Sequence, residues 1–207
     1  MEKSKRKEME FQLRRTEILS EAEKIFASKG FHNATMAEIA NASGFSIGTL
    51  YHFFDGKQNL YATMVTEKLE KMYSEIREAV NGEEMIIDKI KKLVESQFNF
   101  VENNVDFCDL LIRGEGTTVS EGGTVLREKL ISHYFQHVDF VADIMRMGTN
   151  TKILTAKDPQ MMACTLLGII RSFIYYWMIR ERDTHLSDKV GCVKDIFLKG
   201  MILPEAT

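Results

Sequence analysis

Residues 35–54, TMAEIANASGFSIGTLYHFF, decide the fold. Thr35-Met36-Ala37-Glu38 has the S/T-x-x-E form of a capping box, in which a hydroxyl and a carboxylate each satisfy a backbone N–H left free at a helix start. The helix it opens can be only two turns long, because Asn41-Ala42-Ser43-Gly44 breaks it. Ser46 is then placed to cap a second short helix from Ile47 to about Phe53. Two short helices joined by a glycine-containing turn form a helix-turn-helix. The second helix has the size to enter a DNA major groove with residues near its N-terminus at base edges. Ser46, Ile47, Gly48, Thr49, Tyr51 and His52 supply hydroxyls, small groups and an imidazole there, and no acidic residue occurs before Asp55. A plain three-helix bundle without a ligand has the same local pattern and is the competing reading.

Upstream, Ile18, Leu19, Ala22, Ile25 and Phe26 recur at helical spacing, predicting a helix to about Ser28 that Gly30 ends and against which Phe31 packs back. Before it, residues 3–15 carry Lys3, Lys5, Arg6, Lys7, Arg14 and Arg15 against Glu8 and Glu10, a basic arm of local charge +4. Downstream, a turn and cap at Asp55–Gln58 lead into a helix to about Val80, with Leu60, Met64, Leu69, Met72, Ile76 and Val80 as its apolar stripe. At ~1.5 Å per residue it reaches about 36 Å, long enough to link two domains. Further helices are predicted over Met85–Val101, Val105–Ile112 and Val125–Met147. A loop containing Gly114, Gly116, Gly122 and Gly123 precedes the third of these. Asp158-Pro159 is a cap followed by proline at the first helical position, Ser187 opens the last helix and Pro204 closes it. The reading is all α, about nine helices: a helix-turn-helix domain over 12–72 and a larger helical domain over 73–207.

Composition agrees. With 207 residues, 44% hydrophobic and 28% charged, the chain has enough apolar side chains for a core. Only two prolines occur, where average usage predicts about ten. A net charge of −3 is too mild to make the whole protein a polyanion binder, so any basic surface is local. Cys108, Cys164 and Cys192 form no CxxC pair, as reduced thiols in a cytosol would. The charged N-terminus has no apolar signal core, and cytoplasmic location is the expectation. Met161–Ile179 is apolar and nearly long enough for a bilayer, but Arg171 at its middle is costly in lipid, which favours burial by protein.

Residues 22–60 closely resemble the N-terminal domain of the TetR family of bacterial transcriptional regulators, on the spaced set Phe26, Gly30, Thr35, Ile39, Ala40, Gly44, Ser46, Gly48, Leu50, Tyr51, Phe54, Lys57 and Leu60. The resemblance covers about a fifth of the chain. It implies a repressor that binds a palindromic operator in double-stranded DNA as a homodimer and is released by a small effector held in a variable C-terminal domain. Carried over residue by residue, it puts Thr35 and Lys57 on phosphates and Ser46, Ile47, Gly48, Thr49, Tyr51 and His52 on the DNA. Phe53 departs from the family's more frequent His or Tyr, which shifts phosphate contacts toward Lys57 and the basic arm.

In the C-terminal two-thirds no GxSxG, HExxH, P-loop or Cys–His pair appears, so no enzyme, cofactor or metal is expected. His133 and His137 sit four apart on one helix face, but no acidic or cysteine partner completes a metal set. Twelve methionines and 10% aromatic residues fit an adaptable apolar cavity for a lipophilic effector, with Phe98, Phe107, Tyr134, His137, Arg171 and Tyr175 as candidate lining, and ordinary core packing is the competing reading for the aromatic residues and methionines. Arg171 inside an apolar helix needs either an acidic partner such as Asp106, Asp109 or Asp139, or an anionic ligand group. The helix from Pro159 to about Arg182 has more apolar surface than one core can cover. Gly168 and Ser172 form a small-residue patch where a partner helix approaches, beside a second stripe of Val190, Val193, Phe197 and Met201. A helical ligand-binding or interaction protein whose helix-turn-helix no longer binds DNA is the alternative from another class.

Overall fold

The computed structural model describes residues 2–113, 121–155 and 157–200. Gly114, Gly116, Met201 and Pro204 lie outside the described residues. Among those described there are nine α-helices: α1 Glu2–Asn33, α2 Met36–Ala42, α3 Ile47–Phe53, α4 Gly56–Asn81, α5 Ile86–Asn103, α6 Val105–Arg113, α7 Glu121–Asn150, α8 Pro159–Arg180 and α9 Val190–Lys199. They divide into two compact units, Met1–Lys68 with Asp106–Leu130, and Leu69–Val105 with Ile131–Thr207.

Three of the caps read from the sequence are present. Thr35 and Glu38 form the reciprocal box of α2. Ser46 Oγ accepts from Thr49 N–H at 3.1 Å at the start of α3. Asp158 Oδ1 accepts from Met161 N–H at 3.0 Å at the start of α8, with proline in its first turn. Three boundaries differ from the expectation. The basic arm is not a separate tail, because α1 is helical from Glu2. Its Lys, Arg, Glu, Gln and Leu residues are good helix formers. Pairs four apart, Glu10–Arg14 at 2.5 Å and Gln12–Glu8 at 2.9 Å, add support along its side. Gly122 and Gly123 fall in the first turn of α7 rather than in a loop. Ser187 lies in a 3-10 turn, Leu186–Lys189, and α9 begins only at Val190.

In the first unit Ile18, Ala22 and Phe26 of α1, Ile39 and Ala40 of α2, Leu50 of α3 and Leu60, Tyr61 and Val65 of α4 form the core. Gly30, at φ 77°, takes the left-handed conformation that breaks α1. That break lets Phe31 fold back to 6.0 Å from Phe26 and 5.0 Å from Tyr61, ring to ring. Two ion pairs tie α1 to α4, Arg15–Glu67 and Lys68–Glu23. Arg15 also lies over the Phe54 ring at 5.6 Å, and its hydrogen bonds to Glu67 raise its pKa further.

In the second unit α5 supplies Ile90, Leu93, Val94 and Phe98 to the core and packs on α8, α9 and the 3-10 turn. Glu102 of α5 accepts from Leu186 N–H at 2.6 Å, and Trp177 Nε1 donates to Thr184 O at 2.9 Å, pinning the connection between α8 and α9. Near the end of α7, Gly148 lets the chain turn back so closely that a Cβ there would sit 2.5 Å from Leu154 Cδ1 and 3.1 Å from Ile86 Cγ2. Leu154 is itself buried. Gly148→Ala is therefore expected to destabilise the protein by about 2 kcal/mol through overpacking, read as a lower urea midpoint with an unchanged m-value.

Candidate nucleic-acid interface

The α2–α3 pair presents its residues on an exposed surface. Leu50 is the buried residue of α3, whereas Ile47 is 47% and Tyr51 57% exposed. Ser46, Gly48 and His52 are also exposed and Thr49 half-buried. An isoleucine and a tyrosine left in water on a helix without acidic residues form a surface built for contact. The Ser46 and Thr49 hydroxyls are 2.9 Å apart, which orients both at the start of α3.

The expected phosphate contacts have structural partners of their own. Thr35 is exposed, and its hydroxyl donates to Glu38 Oε2 at 2.9 Å while accepting from Glu38 N–H at 3.2 Å. A phosphate contact through Oγ1 as donor requires that proton to leave Glu38. Lys29 reaches the same carboxylate at 2.5 Å and, with Thr35, holds its pKa below the usual range. Lys57 Nζ donates to His32 O at 3.0 Å and Ala34 O at 2.9 Å, and lies 4.7 Å from the Phe31 ring centre. An ammonium has three protons, so one remains for a phosphate.

Beside α3 the first turns of α1 border a cleft of about 580 Å³, lined by Lys7, Glu10, Phe11 and Arg14 from α1 and by Ser46, Gly48, Thr49, His52 and Phe53. Lys7 and Arg14 are expected in the basic arm from the sequence, whereas Phe11 has no role there. The spacing of Lys7, Phe11, Arg14 and Ile18, by four, three and four, could have found this face had the arm been read as helix.

The candidate effector residues are divided between the two units. Phe98 and His137 are buried in the second unit, whereas Phe107 belongs to the first, under Lys68 Nζ at 4.9 Å. Arg171 is exposed, and its described partner is Tyr134, with NH2 3.5 Å from the phenol oxygen and the guanidinium 5.6 Å from the ring centre. The expected acidic partner is not the one it faces, because that side of α8 points to solvent and Asp139 instead takes Gln160 at 2.9 Å. Tyr175 is 51% exposed on the same helix. His133 lies 3.3 Å from Glu70, and His137 turns inward. Among the described residues no three metal-ligating side chains cluster.

His137 is 3% exposed, with Nε2 3.0 Å from Gln97 Nε2 and its ring 4.6 Å from that of Tyr73. Burial, and then the positive Arg77, push its pKa down to about 4. Its Nδ1 is buried with no hydrogen-bond partner. Burial likewise raises the pKa of Tyr73. Gln97 and Tyr73 were not singled out by sequence.

On α8, Met161, Thr165, Gly168, Ser172, Tyr175 and Ile179 follow one another at steps of four and three and share one face. Met161 is 61% and Ile179 56% exposed, and a Cβ on Gly168 would meet nothing within 4 Å. The second stripe expected beside it is corrected. Val190, Val193 and Phe197 turn inward, since α9 packs on α5 and α8, and the large apolar side chain α9 leaves exposed is Ile196.

Residues 18–64 match the model of the bacterial regulatory proteins of the tetR family. The chain is 27% identical over 169 residues to the HTH-type transcriptional activator FasR of Mycolicibacterium smegmatis, covering 82% of this chain and 74% of that protein. It is 30% identical over 139 residues to the HTH-type transcriptional regulator UidR of Escherichia coli K12, covering 66% and 67%. The solved transcriptional regulator FadR of Bacillus subtilis in complex with stearoyl-CoA is similar in fold, with a TM-score of 0.77, 17% identity and coverage of 89% of this chain and 98% of that one. With its capped α2–α3 pair and exposed, acid-free α3, the chain belongs to the TetR family and is a DNA-binding transcriptional regulator.

Proposed function

We propose that the protein is a cytoplasmic repressor that binds a palindromic operator as a homodimer and is released by a lipophilic effector carrying an acyl chain. The observation that carries the DNA-reading part is the exposed face of α3, where Ile47, Tyr51 and His52 stand in solvent beside the half-buried Thr49, with the Ser46 and Thr49 hydroxyls oriented. Base edges are read by Thr49, Tyr51 and His52, with Ile47 making apolar contact and Gly48 allowing close backbone approach. Phosphates are held by the free Lys57 proton and by Lys7 and Arg14, and Thr35 contributes as the cap that fixes α2.

The acyl effector is supported by the methionine-rich composition and by the stearoyl-CoA on the Bacillus subtilis protein of the same fold. Phe98 lines its site, and the unpaired Nδ1 of His137 donates to its carbonyl oxygen. Arg171 and Tyr175 lie instead on the Gly168–Ser172 face of α8, which we assign to the partner subunit.

Fragments of genomic DNA selected by the wild-type protein supply the operator for the test. Lys57→Ala should weaken binding to all sequences and lower the salt slope by about one unit. It should also cost about 1 kcal/mol of stability, because two carbonyls lose a charged donor. Thr49→Ala should instead change the preference among sequences at constant salt slope. Equal affinity of wild type and both variants at several salt concentrations overturns this reading of the surface.

A further inference from the structure

Phe53, half-buried at the end of α3, takes an aromatic partner from α1. Lys7, Phe11, Arg14 and Ile18 share one face of that helix, and Ile18 is fully buried, which directs the face into the first unit. Two turns before Ile18, Phe11 reaches the end of α3. Its ring centre is 4.4 Å from that of Phe53, with the planes tilted by 34°, and 6.4 Å from that of His52, edge-on at 87°.

We infer that Phe11 is a positioning residue for DNA recognition, holding the last turn of α3 through Phe53 and fixing the direction of His52. The inference rests on the reading that α3 faces DNA. A seven-residue helix such as α3 is too short to be stable alone. Its own buried anchor is Leu50, with Phe54 immediately beyond its end. Both are inner contacts, which leave the helix free to roll about its axis. A ring packed against Phe53 from the α1 side opposes that roll. Phe11 is 37% exposed, so it adds little to the core, and its removal should cost orientation rather than folding.

Sequence discrimination depends on base-edge hydrogen bonds that need accurate placement, whereas phosphate attraction tolerates small displacements. Loss of Phe11 should therefore affect specificity more than general affinity. Lys7 and Arg14 stay on α1, so the salt dependence should remain.

The experiment compares binding of a genomic fragment selected by wild type with binding of a scrambled duplex of equal length. Phe11→Ala should lower the specific-to-non-specific ratio about tenfold, the scale of one lost aromatic pair. It should leave the salt slope and the thermal midpoint close to wild type. Phe11→Tyr, which keeps the ring, should restore the ratio. Phe11→Leu, apolar but without a ring, should fall between them, and it carries the same test if the alanine variant folds poorly. An unchanged ratio in both Phe11→Ala and Phe11→Leu overturns the inference. Equal loss on both duplexes with a reduced salt slope also overturns it, since Phe11 would then act only by supporting the cations. A wild type that cannot tell the two duplexes apart fails earlier, at the assignment of α3 to DNA, and the inference falls with it.

Discussion

A Gly168→Trp protein is expected to sediment as a single protomer at micromolar concentration and to lose at least a hundredfold in affinity for its operator, while its helix-turn-helix stays folded. Gly168 is at the middle of the stripe Met161, Thr165, Gly168, Ser172, Tyr175 and Ile179 on α8. Burying large side chains such as Met161, Tyr175 and Ile179 against a partner contributes about 1.5–3 kcal/mol each, and a two-fold axis doubles every such contact. The small residues at the centre let two such helices come close, so a tryptophan there holds them apart along their length. Within the protomer a Cβ at Gly168 would have nothing within 4 Å, and Met161, Tyr175 and Ile179 on the same face are exposed. Loss of assembly is thus separable from loss of fold. The effect on DNA follows from valency. A dimer offers two recognition helices to two half-sites, and the second contact gains an effective concentration that a protomer lacks. Ile179→Glu, which puts a charge on the same face, should give the same result. A Gly168→Trp protein that remains dimeric shows that the subunits meet elsewhere.

How much of this was legible in the sequence depends on the range of the interactions involved. Thr35, Ser46 and Asp158 act on backbone groups three residues away, so the starts of α2, α3 and α8 could be read directly. The glycine at position 30 was equally local. Long-range choices were not readable. An all-apolar helix like α8 does not state which side its own chain will cover, so Arg171 looked internal although it lies over Tyr134 in solvent. The stripe Val190, Val193 and Phe197 was a true amphipathic face, but periodicity cannot say whether it meets α5 and α8 or a second molecule. A run of like charges at the N-terminus resembles a solvated tail until its i,i+4 pairs are counted, and only then does Phe11 acquire a direction. His137 shows the same limit. Four residues from His133, it looked half of a pair, yet the two rings take unrelated partners, Gln97 and Glu70.

His137 should also make the protein lose stability as pH falls from about 6.5 to about 4, by roughly 3 kcal/mol from this residue alone. In the unfolded chain the imidazole titrates near its ordinary value of about 6.5. In the folded protein burial is the larger cause, and the Arg77 charge the smaller, that holds its pKa at about 4. Between these values the unfolded state binds a proton that the native state refuses, so stability rises with pH across the window and is flat in this contribution above about pH 7. At 1.36 kcal/mol per pH unit, the difference between about 6.5 and about 4 corresponds to about 3 kcal/mol, a large share of a typical stability of about 5–15 kcal/mol. The surroundings explain why the proton is refused. The ring lies between Tyr73 at 4.6 Å and Phe140 at 6.3 Å, with Gln97 on Nε2 and no carboxylate among its described partners. His137→Leu removes the titrating group and the unpaired Nδ1 together, so it should be no less stable than wild type at pH 5. Carboxylates elsewhere contribute equally to both proteins, which makes the difference between the two curves the quantity to measure. Urea unfolding from pH 4 to pH 8 gives that difference. Parallel curves would mean that His137 accepts its proton in the folded state, and that its ring is better solvated than its burial among Tyr73, Gln97 and Phe140 implies.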